Sequence, residues 1–264
     1  MKKLLAILLC LSMLLSMVLL ASCKKTDDQD KGKETESQSQ PAEEKDAILA
    51  KTPKDVYAAA QAAAAVIQNG TVDVTVLQSV TMEGVQQTTE LSQLWKFAGD
   101  LAYCKISMGG GYGGELWYDG TYAYENYGED DKYKEEVSKD DFISYAGWDD
   151  IHAILIDLSD SAYTGKEFVK NADGNYTLTL AIVGDDLEAF QDVFGSDGAK
   201  DDKIDYVLTF DKNGNLIDAK FAFVMVADEL EIDVQIAIVF SAMGTTAVTL
   251  PADLDTYEEY DPAS

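Results

Sequence analysis

From Ile204 to Phe240 apolar and polar residues take turns almost without a break. Ile204, Tyr206, Leu208 and Phe210 alternate with polar neighbours up to Asn213-Gly214. Leu216–Val226 then carries Ile217, Ala219, Phe221, Phe223 and Met225 on one side, and Leu230, Ile232, Val234, Ile236, Ile238 and Phe240 resume the alternation. Successive strand side chains point to opposite faces, so a period of two predicts half-buried strands in an antiparallel meander with one apolar face. Asn213-Gly214 predicts a two-residue type I′ hairpin, in which both central residues take positive φ. A final short strand is expected at Ala247–Leu250, before Pro251.

The same period governs the first half. Val72, Val74, Val76, Val80 and Met82 alternate with polar residues, Gly84 marks a turn, and Gln86–Phe97 runs back. Gly99-Asp100 leads into Leu101–Met108. Glu115–Tyr118 and Thr121–Asn126 flank Asp119-Gly120, and Lys132–Val137 adds a strand. Gly165–Val169 and Tyr176–Ile182 form a further pair around Asp173-Gly174. Helical spacing appears in three places. Thr52 suits an N-cap and Pro53 the first helical position, with Val56, Ala60, Ala63 or Ala64, and Ile67 on one face before Asn69-Gly70. The many alanines make this helix slim. Ser138 to Asp141 starts a second helical stretch, which resumes at Asp149-Asp150 through Ile151 and Leu158. Asp185-Asp186 opens the third, carrying Leu187, Phe190 and Phe194.

The first 25 residues differ in kind. Lys2-Lys3 precedes an uncharged apolar run over residues 4–20, and Leu20-Ala21-Ser22-Cys23 ends it before Lys24-Lys25. This is the layout of a secretory signal, with an uncleaved membrane helix as the alternative. Leu20–Cys23 also resembles the lipobox of bacterial lipoproteins. That resemblance implies cleavage before Cys23, a diacylglyceryl group on its thiol, and a lipid-anchored protein on the outer face of the cell membrane, of a Gram-positive bacterium. Residues 1–22 are then the signal peptide and residues 23–51 a polar, acidic tether too poor in apolar residues to order itself. As a coil the tether reaches about 30 Å. Residues 52–264 form one domain.

A helix, a long meander, covering helices and more meander resemble the half-barrels of the lipoprotein-carrier superfamily, which includes the mycobacterial lipid-binding lipoproteins. The helix before Val72–Met82, the turn Leu116-Trp117-Tyr118-Asp119-Gly120, and Asp211-Lys212-Asn213-Gly214 ahead of long strands carry the resemblance, over roughly residues 53–257. It implies an α+β fold: a strongly curved antiparallel sheet, a half-barrel, covered on one face by the N-terminal helix and short helices. It also implies lipid or acyl chains bound on the concave face. Carriers of lipoproteins in that family use an arginine, and this chain has none.

Charge narrows the partners. The formal net charge is −28 and every basic residue is lysine. Nucleic acid needs a basic surface, so it is excluded as a partner. Cys10 falls in the apolar leader and Cys23 at the lipid site, which leaves Cys104 alone in a strand pattern as a buried, inert thiol.

The remaining chemistry is thin. Gly109, Gly111 and Gly114 match a dinucleotide glycine spacing, but a strand rather than a helix follows. His152 is the only histidine, and no Gly-x-Ser-x-Gly elbow accompanies it. Acidic pairs at 140–141, 149–150 and 185–186 suit helix N-termini. Asp211–Asn215 lacks the spacing of a calcium loop, and 195–203 is a weak calcium candidate. Tyr118, Tyr122, Tyr124 and Tyr127 are candidates for a sugar platform. No catalytic residue, cofactor or metal is assigned.

The expected activity is binding of a hydrophobic ligand, lipid or acyl chain, without catalysis. The alternative is a cell-surface structural or protein- or glycan-interaction module with a closed core. The ligand cavity is expected between sheet and helices, walled by Val74, Val76, Trp95, Phe97, Phe221, Phe223, Ile232, Val234 and Ile236.

Overall fold

A computed structural model describes residues 46–82, 85–128, 131–153, 155–194, 202–227 and 230–260. The chain enters through a short 3-10 turn, Ala47–Ala50, and helix α1, Pro53–Ala65. A meander of six strands follows: β1 Asn69–Met82, β2 Val85–Ala98, β3 Leu101–Met108, β4 Tyr112–Tyr118, β5 Tyr122–Gly128 and β6 Asp131–Glu136. Three short helices come next, α2 Lys139–Tyr145, α3 Trp148–His152 and α4 Asp160–Tyr163. The second meander is β7 Val169–Lys170, β8 Tyr176–Ile182, β9 Ile204–Phe210, β10 Leu216–Ala227 and β11 Leu230–Ser241, with helix α5, Asp185–Phe194, between β8 and β9. A 3-10 turn at Leu254–Thr256 and β12, Glu258–Glu259, close the described chain.

All strands among the described residues belong to one 12-stranded sheet of order β12-β6-β5-β4-β3-β2-β1-β11-β10-β9-β8-β7. The seam is the β1–β11 pair, where Val74 faces Ile238 and Val76 faces Ile236. Among the described strands only β12 runs parallel to its neighbour, β6. The fold is therefore α+β, with a largely antiparallel sheet and few helices.

The sheet is neither closed nor strongly curled, which departs from the expected half-barrel. Bulges are what bend a sheet. Among the described pairings register shifts at only two places, Asn126/Gly128 and Leu216/Asp218.

Alternation decides which face is buried. Val72, Val74, Trp95, Phe97, Leu178, Leu180, Leu208, Phe210, Phe221 and Ile238 point to the helix side and are buried there. Helix α1 lays Val56, Tyr57, Ala60 and Ala64 on this face, with Thr52 Oγ accepting from Asp55 N at 3.2 Å as the N-cap. Ser138 caps α2 in the same way, accepting from Asp141 N at 3.1 Å. Trp148 of α3 packs edge-on to Trp95 and Phe97 at 5.5 and 4.9 Å.

Three sequence expectations are corrected. The Asp211–Asn215 connection is not a two-residue turn. Gly214 N donates to Asp211 O, Asp211 N donates to Asn215 O, and only Gly214, at φ 92°, has positive φ. That is a type I turn closed by a left-handed glycine, and Asn171–Asn175 repeats it around Gly174 at φ 88°. In both loops an aspartate accepts nearby backbone N–H groups, Asp211 from Asn213 and Asn215, Asp173 from Asn175. The local carboxylate chemistry outcompetes the shorter turn.

Second, Ala247–Leu250 is not a strand. Ala242, at φ 50°, turns the chain back, and Asn69 and Thr246 then exchange hydrogen bonds, side chain to backbone, at 2.8 and 3.0 Å. The segment crosses the outer face of the sheet instead. Third, strand β7 occupies Val169–Lys170 rather than Gly165–Val169.

Packing also reaches ahead of Thr52. Ile48 is fully buried, its N donates to Lys212 O at 3.0 Å, and Asp46 accepts from Lys170 and Tyr176. The leader, Cys23, Gly84 and most of the 195–203 stretch lie outside the described residues.

Candidate functional site

The residues expected to wall a cavity do share one face. Val76, Ile236 and Phe221 are matched across β1, β11 and β10, as are Val234 and Phe223 on the last two. Val74, Trp95, Phe97, Phe221, Phe223, Ile232, Val234 and Ile236 are buried and Val76 half-buried. They form two aromatic groups rather than a single wall. Trp95 stacks on Phe97 at 5.6 Å under Trp148 and Phe142. Phe221 and Phe223 meet the edge of Phe190 from α5 at 5.2 and 5.3 Å. Helix side chains thus rest directly on the floor.

A groove opens one layer higher, between α1, Ala153 and residues 155–157, and α5. Its volume is about 490 Å³, and Gln61, Ala62, Ala65, Ala153, Leu155, Ile156, Asp157 and Ala189 line it. The sequence explains why it exists. Helix α1 offers only methyl groups at Ala62 and Ala65, and among the described residues α5 offers Ala189, so these positions approach without filling the space between them.

Gln61 fixes the groove wall. Its Nε2 donates to Leu155 O at 2.9 Å, Ile156 O at 3.0 Å and Asp157 Oδ1 at 3.2 Å. Tyr57 supports it from below, donating to Ile156 O at 3.0 Å, and burial pushes the Tyr57 phenol far above its usual pKa. On the other side Asp186 of α5 accepts from Ser159 N and Ser159 Oγ, both at 2.8 Å. The 155–159 segment is therefore tied to both helices that flank it.

A second, more open cleft of about 730 Å³ lies at the far edge, among Tyr118, Thr121, Glu135, Glu136, Ser138 and Asp141. Its polar and acidic walls give no purchase for an apolar molecule.

The other candidates are dispersed. Gly109 and Gly111 lie in the turn between β3 and β4, and Gly114 lies in strand β4. His152 ends α3. The Asp211 carboxyl is raised by burial, but hydrogen bonds from Asn215 and Asn213 outweigh that and hold it below its usual range. Its oxygens serve the loop itself. Cys104 is buried, and burial raises its thiol. Among the described residues no group of three or more His, Cys, Asp or Glu could hold a metal.

Tyr118, Tyr122, Tyr124 and Tyr127 do not form one platform. Tyr118 faces the core, stacked on Phe142 at 5.5 Å. Tyr122 and Tyr124 lie in a separate outer cluster with Trp117 and Tyr103, and Tyr127 is about half exposed. This cluster is missing from the sequence reading. Leu250, Leu254 and Tyr257 of the C-terminal segment cover it, with Tyr124 and Tyr257 edge to face at 5.5 Å. The signal was present in the odd-numbered Tyr103 and Trp117, apolar on the supposedly polar phase of their strands.

No known family matches this sequence, and no curated protein matches it. Among solved structures the chain is similar to a LolA superfamily protein from Nitrosomonas europaea, with 10% identity, a TM-score of 0.25, and coverage of 78% of this chain and 98% of that one. It is also similar to a DUF1329 family protein from Desulfovibrio piger, with 15% identity, a TM-score of 0.23, and coverage of 76% and 96%.

Proposed function

We propose that this chain is an extracytoplasmic lipoprotein that binds a hydrophobic molecule, a lipid or acyl chain, without catalysis. The observation that carries the reading is the groove with alanine walls above Leu155 and Ile156. Its volume lies in the usual range for small-molecule sites, and such sites are mostly apolar with few polar groups. Each methylene moved from water into it contributes about 0.8 kcal/mol. The buried floor beneath, Val74 and Val76 through Trp95, Phe97, Phe221, Phe223, Ile232, Val234 and Ile236, supports the helices and continues the apolar path should they part. In this reading a diacylglyceryl anchor on Cys23 holds the acidic domain to a membrane that its charge would otherwise shun.

The test uses a neutral fluorescent probe, N-phenyl-1-naphthylamine. Ala62 is exposed, so Ala62→Trp fills the groove from its rim without entering the core. Probe binding is expected to fall at least tenfold while the circular dichroism spectrum stays unchanged. Unaltered binding in that variant would refute the site. For the anchor, cells expressing Cys23→Ala are expected to lose incorporation of a clickable fatty acid into this protein, and label kept by the variant would refute lipidation.

A further inference from the structure

We infer that the molecule held in the groove carries a cationic head: an apolar chain ending in an amine or quaternary ammonium. The inference rests on the groove reading above and concerns what lies at its mouth. Among the described residues two polar side chains line the groove, Gln61 and Asp157. The Gln61 amide nitrogen is committed to Leu155 O, Ile156 O and Asp157 Oδ1. Among the described residues Asp157 is exposed, supplies the one formal charge in the lining, and has no lysine partner.

The two neighbouring carboxylates are placed differently, one beside a lysine and one buried. Asp160 is paired with Lys54, and Asp186 is held by Ser159. All three share one neighbourhood, since burial first and then Asp186, Asp157 and Asp160 raise the Tyr163 phenol.

An apolar chain lying along Ala62, Ala65 and Ile156 would bring its head to the Asp157 carboxylate. A carboxylate or phosphate head would meet like charge there, on a protein of net charge −28 that has no arginine to clamp it. An ammonium head meets its complement and also relieves that crowding.

The experiment compares decyltrimethylammonium, decanol and decanoate, each below its critical micelle concentration. Each displaces N-phenyl-1-naphthylamine from the full chain. The expected order of affinity is ammonium, then alcohol, then carboxylate. Asp157→Asn is expected to weaken the ammonium about tenfold, the size of one charge contact at the protein surface, and to strengthen decanoate. Asp233→Asn removes the same charge from an exposed position on β11 and is expected to leave the ratio unchanged. Decanoate binding as tightly as the ammonium, or a ratio insensitive to Asp157→Asn, overturns the head-group preference alone. Failure of all three to displace the probe overturns the groove reading and this inference with it.

Discussion

Gly214 offers a sharp test of how the second meander turns. The loop it closes has one left-handed residue, Gly214 at φ 92°, while Lys212 and Asn213 stay at negative φ. A residue with a Cβ in the left-handed region costs about 1–2 kcal/mol. Space adds nothing to this. A Cβ on Gly214 would sit 3.7 Å from Val56 Cγ1 and 3.9 Å from Ile48 Cγ1, ordinary contact distances. Gly214→Ala should therefore destabilise the domain by about 1–2 kcal/mol, and its cost is conformational. For a domain of this size 1 kcal/mol moves Tm by about 2–4 °C, so the melt should drop by about 2–8 °C.

Asn213→Gly separates the observed turn from the two-residue alternative. In a type I′ hairpin position 213 would also need positive φ, and glycine there would be neutral or stabilising. In the observed turn glycine only adds freedom to the unfolded chain, at a cost of about 0.5–1 kcal/mol. Gly174→Ala, in the matching loop where a Cβ meets nothing within 4 Å, should reproduce the Gly214→Ala loss. The assay is thermal unfolding followed by far-ultraviolet circular dichroism. An unchanged Tm for Gly214→Ala, or a raised one for Asn213→Gly, would refute the assignment.

Ile48 should matter as much as a core residue of the sheet. It is fully buried, and Ile48→Ala should cost about 2–5 kcal/mol by urea unfolding, whereas a tether residue would cost nothing. The C-terminal segment should loosen in acid. Asp253 accepts from Lys132 at 2.7 Å, which holds its carboxyl below the usual range. A lowered folded pKa means the contribution is present above the unfolded pKa of about 3.9 and is lost as pH falls through the folded one. Protection against hydrogen exchange around Tyr257 and Trp117, taken relative to the intrinsic rate at each pH, should fall below about pH 4, and Asp253→Asn should show that lower protection already at pH 7. Protection in the variant that still depends on pH as in the parent would refute the pairing.

The strands were legible because burial on one face writes itself into a period of two. Ile204–Phe210 and Leu230–Ser241 were readable residue by residue, and the residues from Val74 to Ile236 lie together on one face. Helix starts were legible for a different reason, since Thr52 and Ser138 accept from the backbone three residues on. Turn chemistry was not. Asn213-Gly214 fits a two-residue turn by composition, and what decides otherwise is Asp211, whose carboxylate reaches Asn213 N and Asn215 N at 2.8 and 2.9 Å. A dipeptide rule does not weigh a competitor two residues upstream.

The groove was illegible for a reason of its own. A strand pattern names the floor of a layer but not the gap between the helices above it. That gap depends on how far Ala62 and Ala65 on one helix stand from Ala189 on another, and the residues are distant in sequence. The sequence did contain half of the argument, because a slim alanine helix leaves room somewhere. It could not say which side the room falls on. Ala60 and Ala64 turn toward the sheet, where Tyr57, Tyr206 and Phe221 fill the space with edge-to-face contacts at 6.1 and 5.6 Å. The deficit of volume therefore appears on the outward stripe, beside Asp157. An apolar ligand is thus expected at a charged rim rather than under the sheet, and the head group becomes as decisive as the chain.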